Sequence, residues 1–294
     1  MGEAPDFSIV VTTRNRPEQL ARLLGALGAL DYPAGRFEVI VVDDGSDVPL
    51  DGAMGAAPAH LRLIALRREH AGPAVGRNRG AAAAKGRWLA FVDDDCEPHR
   101  EWLTALARRH EAAGGAMVGG RTVNGLPSNP YSASSQFIAD IVYAYYNGDG
   151  TEARFFATNN MSVPREQFLS MGGFDESYEF ACEDRDLCAR WKEAGRAMVY
   201  EPLALVTHSH PMHMRSYCRQ HFSYGQGAVA FHRKVEARGA GHMRDHFGFH
   251  ARMPYWFADA WRRHRAGMAA RVWMLLIVWQ VVNAAGYFYE RWRR

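Results

Sequence analysis

Cysteine is scarce: only Cys96, Cys182, Cys188 and Cys218 occur in 294 residues, and they form no C-x-x-C pair and no zinc-ligand spacing. A disulfide framework and a structural zinc site are therefore set aside, and a reduced, cytosolic setting is the simplest reading. Internal repeats and low-complexity linkers are also absent, which leaves one large domain, or a domain of roughly 200 residues with an appendage. No G-x-G-x-x-G run is present, so the dinucleotide fingerprint is missing. The residues ahead of Phe7 are polar and the first apolar segment is short and β-branched, unlike a secretory leader. No nucleic-acid partner is expected.

Apolar residues make up 48% of the chain and charged residues 23%, the composition of a folded globule rather than a disordered chain. The net charge of +3 conceals a division: residues 1–210 carry 21 Lys/Arg against 28 Asp/Glu, whereas residues 211–294 carry 14 against 4. An acidic body with a basic tail points to an anionic partner, such as a membrane surface or a phosphorylated substrate.

Residues 7–12 form a short β-branched strand, followed by Pro17 at a first helical turn and by Leu20, Leu23, Leu24, Leu27 and Leu30 at helical spacing. Further strands are expected over 37–42, 61–66 and 87–92, with a helix over 73–84. Strands alternating with helices imply right-handed crossovers and a mostly parallel sheet. The ligand crevice then lies where Thr12-Thr13, Asp43-Asp44 and Asp93-Asp94-Asp95 converge at strand ends. Beyond Arg121 the rhythm weakens. Residues 131–146 and 183–193 read as helices, 196–200 and 203–207 as two short strands, and the chain after Pro211 as helical, aromatic and basic.

Three carboxylates, Asp93, Asp94 and Asp95, at the end of a buried strand repel one another and call for a cation or a metal-bound phosphate. The competing reading is a solvated acidic turn in which Asp95 or Glu97 caps the next helix. In Asp43-Asp44-Gly45-Ser46 a carboxylate can accept from a ribose or a base N–H, or the segment is an ordinary turn. Gly72, Gly76 and Gly80 read as packing glycines, while Arg77 and Asn78 near the helix start can reach a nucleotide. Asp184, with Glu183 beside it, opens a helix shortly after Gly172-Gly173-Phe174-Asp175-Glu176. A carboxylate there can deprotonate an acceptor hydroxyl, or simply complement the helix dipole. His208 and His210, two apart on a strand end, point the same way and suit a metal beside a carboxylate, although 13 histidines make chance placement the alternative.

Taken in order, Val10 through Pro17, Val41 through Ser46, Gly76 through Gly80, Phe91 through Asp95, Gly172 through Glu176 and Glu183 through Leu187 make the chain resemble the family 2 glycosyltransferases over about residues 7–210. The resemblance implies a GT-A type α/β fold, a Rossmann-like, mostly parallel sheet flanked by helices. Its nucleotide-binding half would cover about 1–121, its acceptor-binding half about 122–210, and a C-terminal helical extension 211–294. It also implies inverting sugar transfer from a nucleoside diphosphate, with Mn²⁺ or Mg²⁺. Thr12, Arg14 and Asp44 match positions that hold the base and ribose, with Arg77 joining them. Asp93 matches a ribose or metal contact and Asp95 the metal ligand. Asp184 matches the catalytic base, with Glu183 the weaker candidate. His208 resembles a late metal-ligating histidine, with His210 as its alternative, and Asn159 and Asn160 resemble a segment on the acceptor side. UDP- or dTDP-sugars are the favoured donors, with GDP-sugars also compatible, and the acceptor would be a glycan or a lipid-linked sugar, as in polysaccharide biosynthesis. An Asp-x-Asp phosphotransferase or phosphatase, and a catalytically silent binding partner on the same fold, stay open as alternatives.

Residues 272–289 form an 18-residue apolar stretch bracketed by Arg271 and by Arg291, Arg293 and Arg294, with Arg262, Arg263 and Arg265 upstream. As a helix it is about 27 Å long, marginal for a hydrocarbon core of roughly 30 Å. Gln280 and Asn283 share a face and the aromatic residues cluster towards the ends, as in interfacial helices. Docking on the inner face of the cell membrane is therefore the first expectation, which makes the protein cytoplasmic and peripheral. Packing on the domain or in a homodimer comes second, and spanning third.

Overall fold

Alternate residues of the first strand point into two different cores, and this sets the order of the layers. β1 (Phe7–Thr13) sends Phe7, Ile9 and Val11 to one side and Val10 to the other. β2 (Phe37–Asp44) divides Val39 and Val41 from Ile40 and Val42 in the same way. Strands buried on both faces need a helix layer on each, which is why they read as continuous apolar runs. α1 (Pro17–Gly28) covers the first face with Leu20, Leu23, Leu24 and Leu27, joined by Trp102, Leu103 and Leu106 of α4 (Trp102–Ala113). α3 (Pro73–Ala83) approaches the other face closely: a Cβ at Gly76 would stand 2.5 Å from Thr12 Cγ2, and one at Gly80 2.5 Å from Val10 Cγ1. Both glycines are there for close packing.

The computed structural model describes residues 4–148, 153–239, 248–249 and 251–293. Among these, β1 and β2 join β3 (Leu63–Arg68), β4 (Trp88–Phe91), β5 (Cys96–Pro98), β6 (Met117–Asn124), β7 (Met161–Pro164) and β8 (Met198–His208) in one sheet of order β3-β2-β1-β4-β7-β6-β8-β5. The first four strands are parallel, with β1 between β2 and β4. Strand order therefore reverses at the β1–β4 seam, which opens a crevice at the carboxyl ends, where ligands bind in open α/β sheets. β7 then runs antiparallel to both β4 and β6. Two short helices, α2 (Asp51–Gly55) and α6 (Arg165–Ser170), complete further connections, one on each face.

Residues 196–200 and 203–207, expected as two strands, are instead parts of the single strand β8. The intervening residues are absorbed in an irregularity: Gly120 of β6 pairs with Glu201, whereas Arg121 pairs with Leu205. Pro202, which has no N–H to give to a ladder, sits within the bulged segment. The Asn160 amide closes the bulge by donating to Arg121 O at 2.9 Å and Ala204 O at 2.8 Å while accepting from Trp102 Nε1 at 2.9 Å. It is fully buried. This corrects the expectation that Asn160 contacts the acceptor, because its donors and its acceptor oxygen are all engaged within the protein.

α5 (Pro130–Asn147) and α7 (Glu183–Glu193) lie close to their expected bounds. The C-terminal region comprises α8 (Met214–Ala237), α9 (Met253–Arg263) and α10 (Ala266–Arg293). α10 packs lengthwise on α8 with glycine at each crossing: a Cβ at Gly225 would lie 2.1 Å from Asn283 O, and one at Gly286 2.1 Å from Phe222 O. Phe137 and Ile141 of α5, Tyr217 of α8, Trp256 of α9 and Leu276 and Trp279 of α10 share a third core.

Asn160→Ala leaves a buried indole N–H and two strand carbonyls without partners, so we expect it to lower unfolding free energy by about 3 kcal/mol in urea denaturation. A loss below about 1 kcal/mol, the worth of a single ordinary hydrogen bond, would show that the bulge holds without the amide.

Candidate active site

β4 ends at Phe91, and the chain then turns, so that the three consecutive aspartates leave in different directions. Asp94 turns under the β1–α1 loop, accepting from Thr13 Oγ1 at 2.7 Å and Arg16 Nη1 at 3.0 Å. Burial raises its pKa, against the pull of Arg16 and Thr13. Asp95 turns towards the end of β8, with His208 Nε2 at 3.2 Å from Oδ1 and His210 Nδ1 at 2.9 Å from Oδ2. Arg16 Nη1 also reaches Asp95 Oδ2, at 3.2 Å. Burial works against the Asp95 charge, yet the two imidazoles prevail and hold its pKa far below the usual carboxylate range. In return, burial would lower the His208 pKa, but the Asp95 carboxylate holds it above its ordinary value. Asp93 is the most open of the three and pairs with Arg77 Nη2 at 2.9 Å.

Two backbone links bring the histidines to this place. β5 pairs antiparallel with β8 so that Cys96 lies opposite His208, and Ser209 N donates to Asp95 O at 2.8 Å. The His208 and His210 rings stack with centroids 5.4 Å apart. Donor atoms of Asp95, Cys96 and His208 all lie within 4.8 Å of one another. Cys96 does not suit a hard cation, since it is fully buried and burial holds its thiol protonated. The remaining set, a carboxylate with one or two imidazoles and Asp93 nearby, fits a divalent ion such as Mn²⁺.

Arg77 joins this cluster to the second acidic motif. Its guanidinium is buried and bridges Asp93 and Glu183, each at 2.9 Å, with the Phe174 ring 5.8 Å from its carbon. Burial alone would lower the Arg77 pKa; the two carboxylates raise it instead. Asp184 is the next residue of α7, partly buried, with Oδ1 accepting from Arg185 N at 2.7 Å. Burial first, and then the charges of Glu183 and Asp93, push its pKa up to about 7 despite Arg77. Cys182, just before this helix, has a left-handed backbone with φ of 79°, uncommon for a residue with a side chain.

The expected nucleotide contacts are distributed less simply. The Thr12 hydroxyl is buried at the crevice end of β1 and has no hydrogen-bond partner among the described residues. Arg14 is exposed and donates to Gly45 O at 3.2 Å. Asp44 is 3% exposed and accepts from Ala71 N at 3.1 Å, Gly72 N at 3.0 Å and His70 Nδ1 at 2.7 Å. Arg68 Nη1 also lies 3.3 Å from Asp44 Oδ1, so in this structure Asp44 is engaged on both oxygens and holds the loop. Asn159 is partly buried beside Thr122, whose hydroxyl is 3.5 Å away, and so differs from the fully engaged Asn160.

Sequence reasoning placed Thr13 at the crevice but did not single out Arg16, Gln220 or Tyr224. Gln220 stands between His210 Nε2, at 3.2 Å, and the Tyr224 hydroxyl, to which its amide donates at 2.8 Å. Tyr224 is 43% exposed and, through Gln220, is linked to His210 beside Asp95, so α8 forms a wall of the same crevice. Nothing in an aromatic-rich helix separates this pair from ordinary packing residues. Arg16 did offer a signal, lying two residues beyond Arg14 in the same turn.

Acids and imidazoles at the carboxyl ends of a parallel sheet, facing a helix that opens with acids, define a GT-A type α/β domain. Residues 8–171 match glycosyl transferase family 2, and the chain belongs to that family. It is 33% identical over 236 residues to the pre-mycofactocin glycosyltransferase of Mycobacterium tuberculosis, covering 76% of this chain and 47% of that protein. It is 29% identical over 161 residues to glycosyltransferase AglE of Haloferax volcanii, covering 54% of this chain and 47% of that protein. The chain thus spans about half the length of these curated relatives. Its fold is similar to mannosyltransferase PcManGT from Pyrobaculum calidifontis, described in complex with GDP-Man and Mn²⁺, at a TM-score of 0.73 and 18% identity over 99% of this chain and 88% of that one. It is also similar to TarS 1–349 of S. aureus in complex with UDP-GlcNAc, at a TM-score of 0.55 and 17% identity over 96% of this chain and 89% of that one.

Arg77→Met strands two carboxylates, so we expect a stability loss of about 3 kcal/mol, moderated by the solvent access of Asp93. Adding Glu183→Gln should restore part of it in a denaturant double-mutant cycle; strict additivity of the two changes would show that the bridge is not energetically coupled.

Proposed function

We propose that this domain catalyses inverting, divalent-metal-dependent transfer of a sugar from a nucleoside diphosphate to a hydroxyl of a glycan or lipid-linked acceptor, with Asp184 as the general base. The observation that carries this reading is the Arg77 bridge, which holds the Asp93–Asp95 turn and the start of α7 on one crevice while Asp184 keeps a pKa near 7. Asp184 takes the acceptor proton as the new oxygen–carbon bond forms at the anomeric carbon, and the diphosphate departs from the opposite face with the bonding pair. Glu183 is held by Arg77 and so serves to position the helix start. Asp95, Asp93 and His208 or His210 would hold Mn²⁺ or Mg²⁺, which when bound offsets charge on the leaving diphosphate. Thr12 and Arg14 would face the nucleoside beside Arg77, with Asp44 joining them where the nucleoside takes the place of His70, and Asn159 would face the acceptor.

UDP- and dTDP-sugars remain the favoured donors, and the neighbour described with GDP-Man keeps GDP-sugars in the test. The enzyme would work at the cytoplasmic face of the membrane, where a lipid-linked acceptor is presented. An Asp93-x-Asp95 phosphotransferase is less well supported, because Asp93 is paired with the buried Arg77 and Asp95 with Arg16, His208 and His210.

In a screen of nucleotide sugars with Mn²⁺, Asp95→Asn should lose metal-dependent donor binding by titration calorimetry. Asp184→Asn should retain that binding and lose turnover by on the order of a thousandfold. Unchanged turnover in both variants would sink the mechanism. The base must be deprotonated, so kcat/KM should rise about tenfold per pH unit below pH 7 and level above it, because the Asp184 pKa is raised to about 7. A flat profile from pH 5 to 8 would remove Asp184 as the base.

A further inference from the structure

The two faces of α10 differ in what they meet. Its inner face is committed to the protein: Val272, Leu275, Leu276 and Trp279 lie in the third core, and Glu290 is fully buried with its carboxylate accepting from Gln226 at 3.2 Å. Main chain meets main chain where Gly225 and Gly286 cross. The outer face carries Trp273, Met274, Ile277, Val281, Phe288 and Trp292, which are 37% to 87% exposed. Steps of three or four, with one of seven, separate most of these positions, so they form one stripe along the helix. No charged residue interrupts the sequence between Arg271 and Glu290. Arg265 and Arg271 at one end and Arg291 at the other are exposed and make no ion pair among the described residues.

We propose that this outer stripe lies flat on an anionic lipid surface, so that α10 is an interfacial helix and not a membrane span. The proposal deepens the functional reading by naming how the enzyme meets its membrane, and it rests on that reading for the acceptor alone. Charge selects the occupant. Both ends of the stripe are basic, so self-pairing about a twofold axis brings arginine against arginine whichever way the helices run. Anionic headgroups instead attract each of these arginines by about 1 kcal/mol while the apolar stripe enters the acyl boundary.

Packing excludes spanning. The helix has 28 residues and a mean hydropathy of 1.5 in its most apolar window, enough by length and composition alone to cross a bilayer. To do so it must either leave α8, exposing the Glu290 carboxylate and the glycine crossings, or draw into hydrocarbon the stretch of α8 that lies along it, from Tyr217 at Leu275 to Gln226 at Glu290, with the exposed Arg219. Lying flat requires neither. α8 contacts α10 through Phe222 and Gly225 and lines the crevice through Gln220 and Tyr224, so the crevice stands about one helix-packing distance, roughly 10 Å, above the docked helix. A sugar carried on a lipid headgroup is the acceptor class that fits this height.

The test is flotation of the full chain with vesicles of phosphatidylcholine alone or of equimolar phosphatidylcholine and phosphatidylglycerol. Wild type should float with the anionic vesicles, float less in high salt, and be released by alkaline carbonate. Met274→Asn/Val281→Asn/Phe288→Asn should reduce flotation at least about tenfold with an unchanged thermal midpoint, since these side chains face outward. Arg265→Glu/Arg271→Glu should abolish the preference for anionic vesicles. Failure of wild type to float, flotation indifferent to the triple substitution, or resistance to carbonate would each overturn the proposal. So would a sedimenting dimer that the triple substitution dissociates. Asp184→Asn should float like wild type, so loss of turnover with intact flotation counts against the chemistry alone. Turnover on a soluble acceptor without flotation counts against the surface alone.

Discussion

A buried guanidinium between two carboxylates from distant parts of the chain is the constraint on which the rest of the site depends. Arg77 comes from the helix after β3, Asp93 from the turn after β4 and Glu183 from the start of α7. An unpaired arginine at that depth is untenable, so its two partners are drawn to fixed places. Asp93 therefore faces the crevice and Asp184 follows Glu183 to its rim. The same positive charge tempers, without cancelling, the rise in the Asp184 pKa, leaving a carboxylate that changes protonation near neutrality.

The C-terminal helices act on this arrangement from behind. Gly227 of α8 packs against the Ala181 carbonyl, where a Cβ would stand 2.5 Å away, one residue before the strained Cys182. Lys234 pairs with Asp175, and Arg238 pairs with Asp186 at 3.0 Å and Glu193 at 2.8 Å, so α8 grips the approach to α7 as well as its body. Arg185 places its guanidinium 4.6 Å from the Phe231 ring. Helices read from sequence as a basic appendage thus brace the segment that carries Asp184, and they supply Gln220 and Tyr224 to the crevice wall. Their outer surface is left free for a different contact.

The parallel half of the sheet was legible because its signals are local. Apolar runs, turns and glycines lie within a few residues of one another, and doubly covered strands cannot avoid being continuously apolar. The strands β5, β6 and β7 were not singled out, being three or four residues long or interrupted by Gly119-Gly120, and β8 read as two because its bulge holds Pro202. In the site, Asp93, Asp95, Asp184, His208 and His210 were identifiable as residue types at strand and helix ends. Asn160 misled, since an amide engaged in a bulge and an amide facing a substrate are the same letters. The partners of Asp44 and the bridging role of Arg77 could not be read either, because each depends on residues tens of positions away.

By itself, then, the sequence determined the chemistry available at each strand end, the α/β alternation and the division between an acidic body and a basic tail. These follow from nearest-neighbour periodicity and composition. Only the tertiary structure decided how three adjacent aspartates take different sets of partners, because turning directions after β4 are set by Thr13 and Arg16 at Asp94, Arg77 at Asp93, and His208 and His210 at Asp95, with Arg16 shared between Asp94 and Asp95. It also decided which side of the last helix is protein and which is open, since both sides are apolar and only packing against α5, α8 and α9 tells them apart.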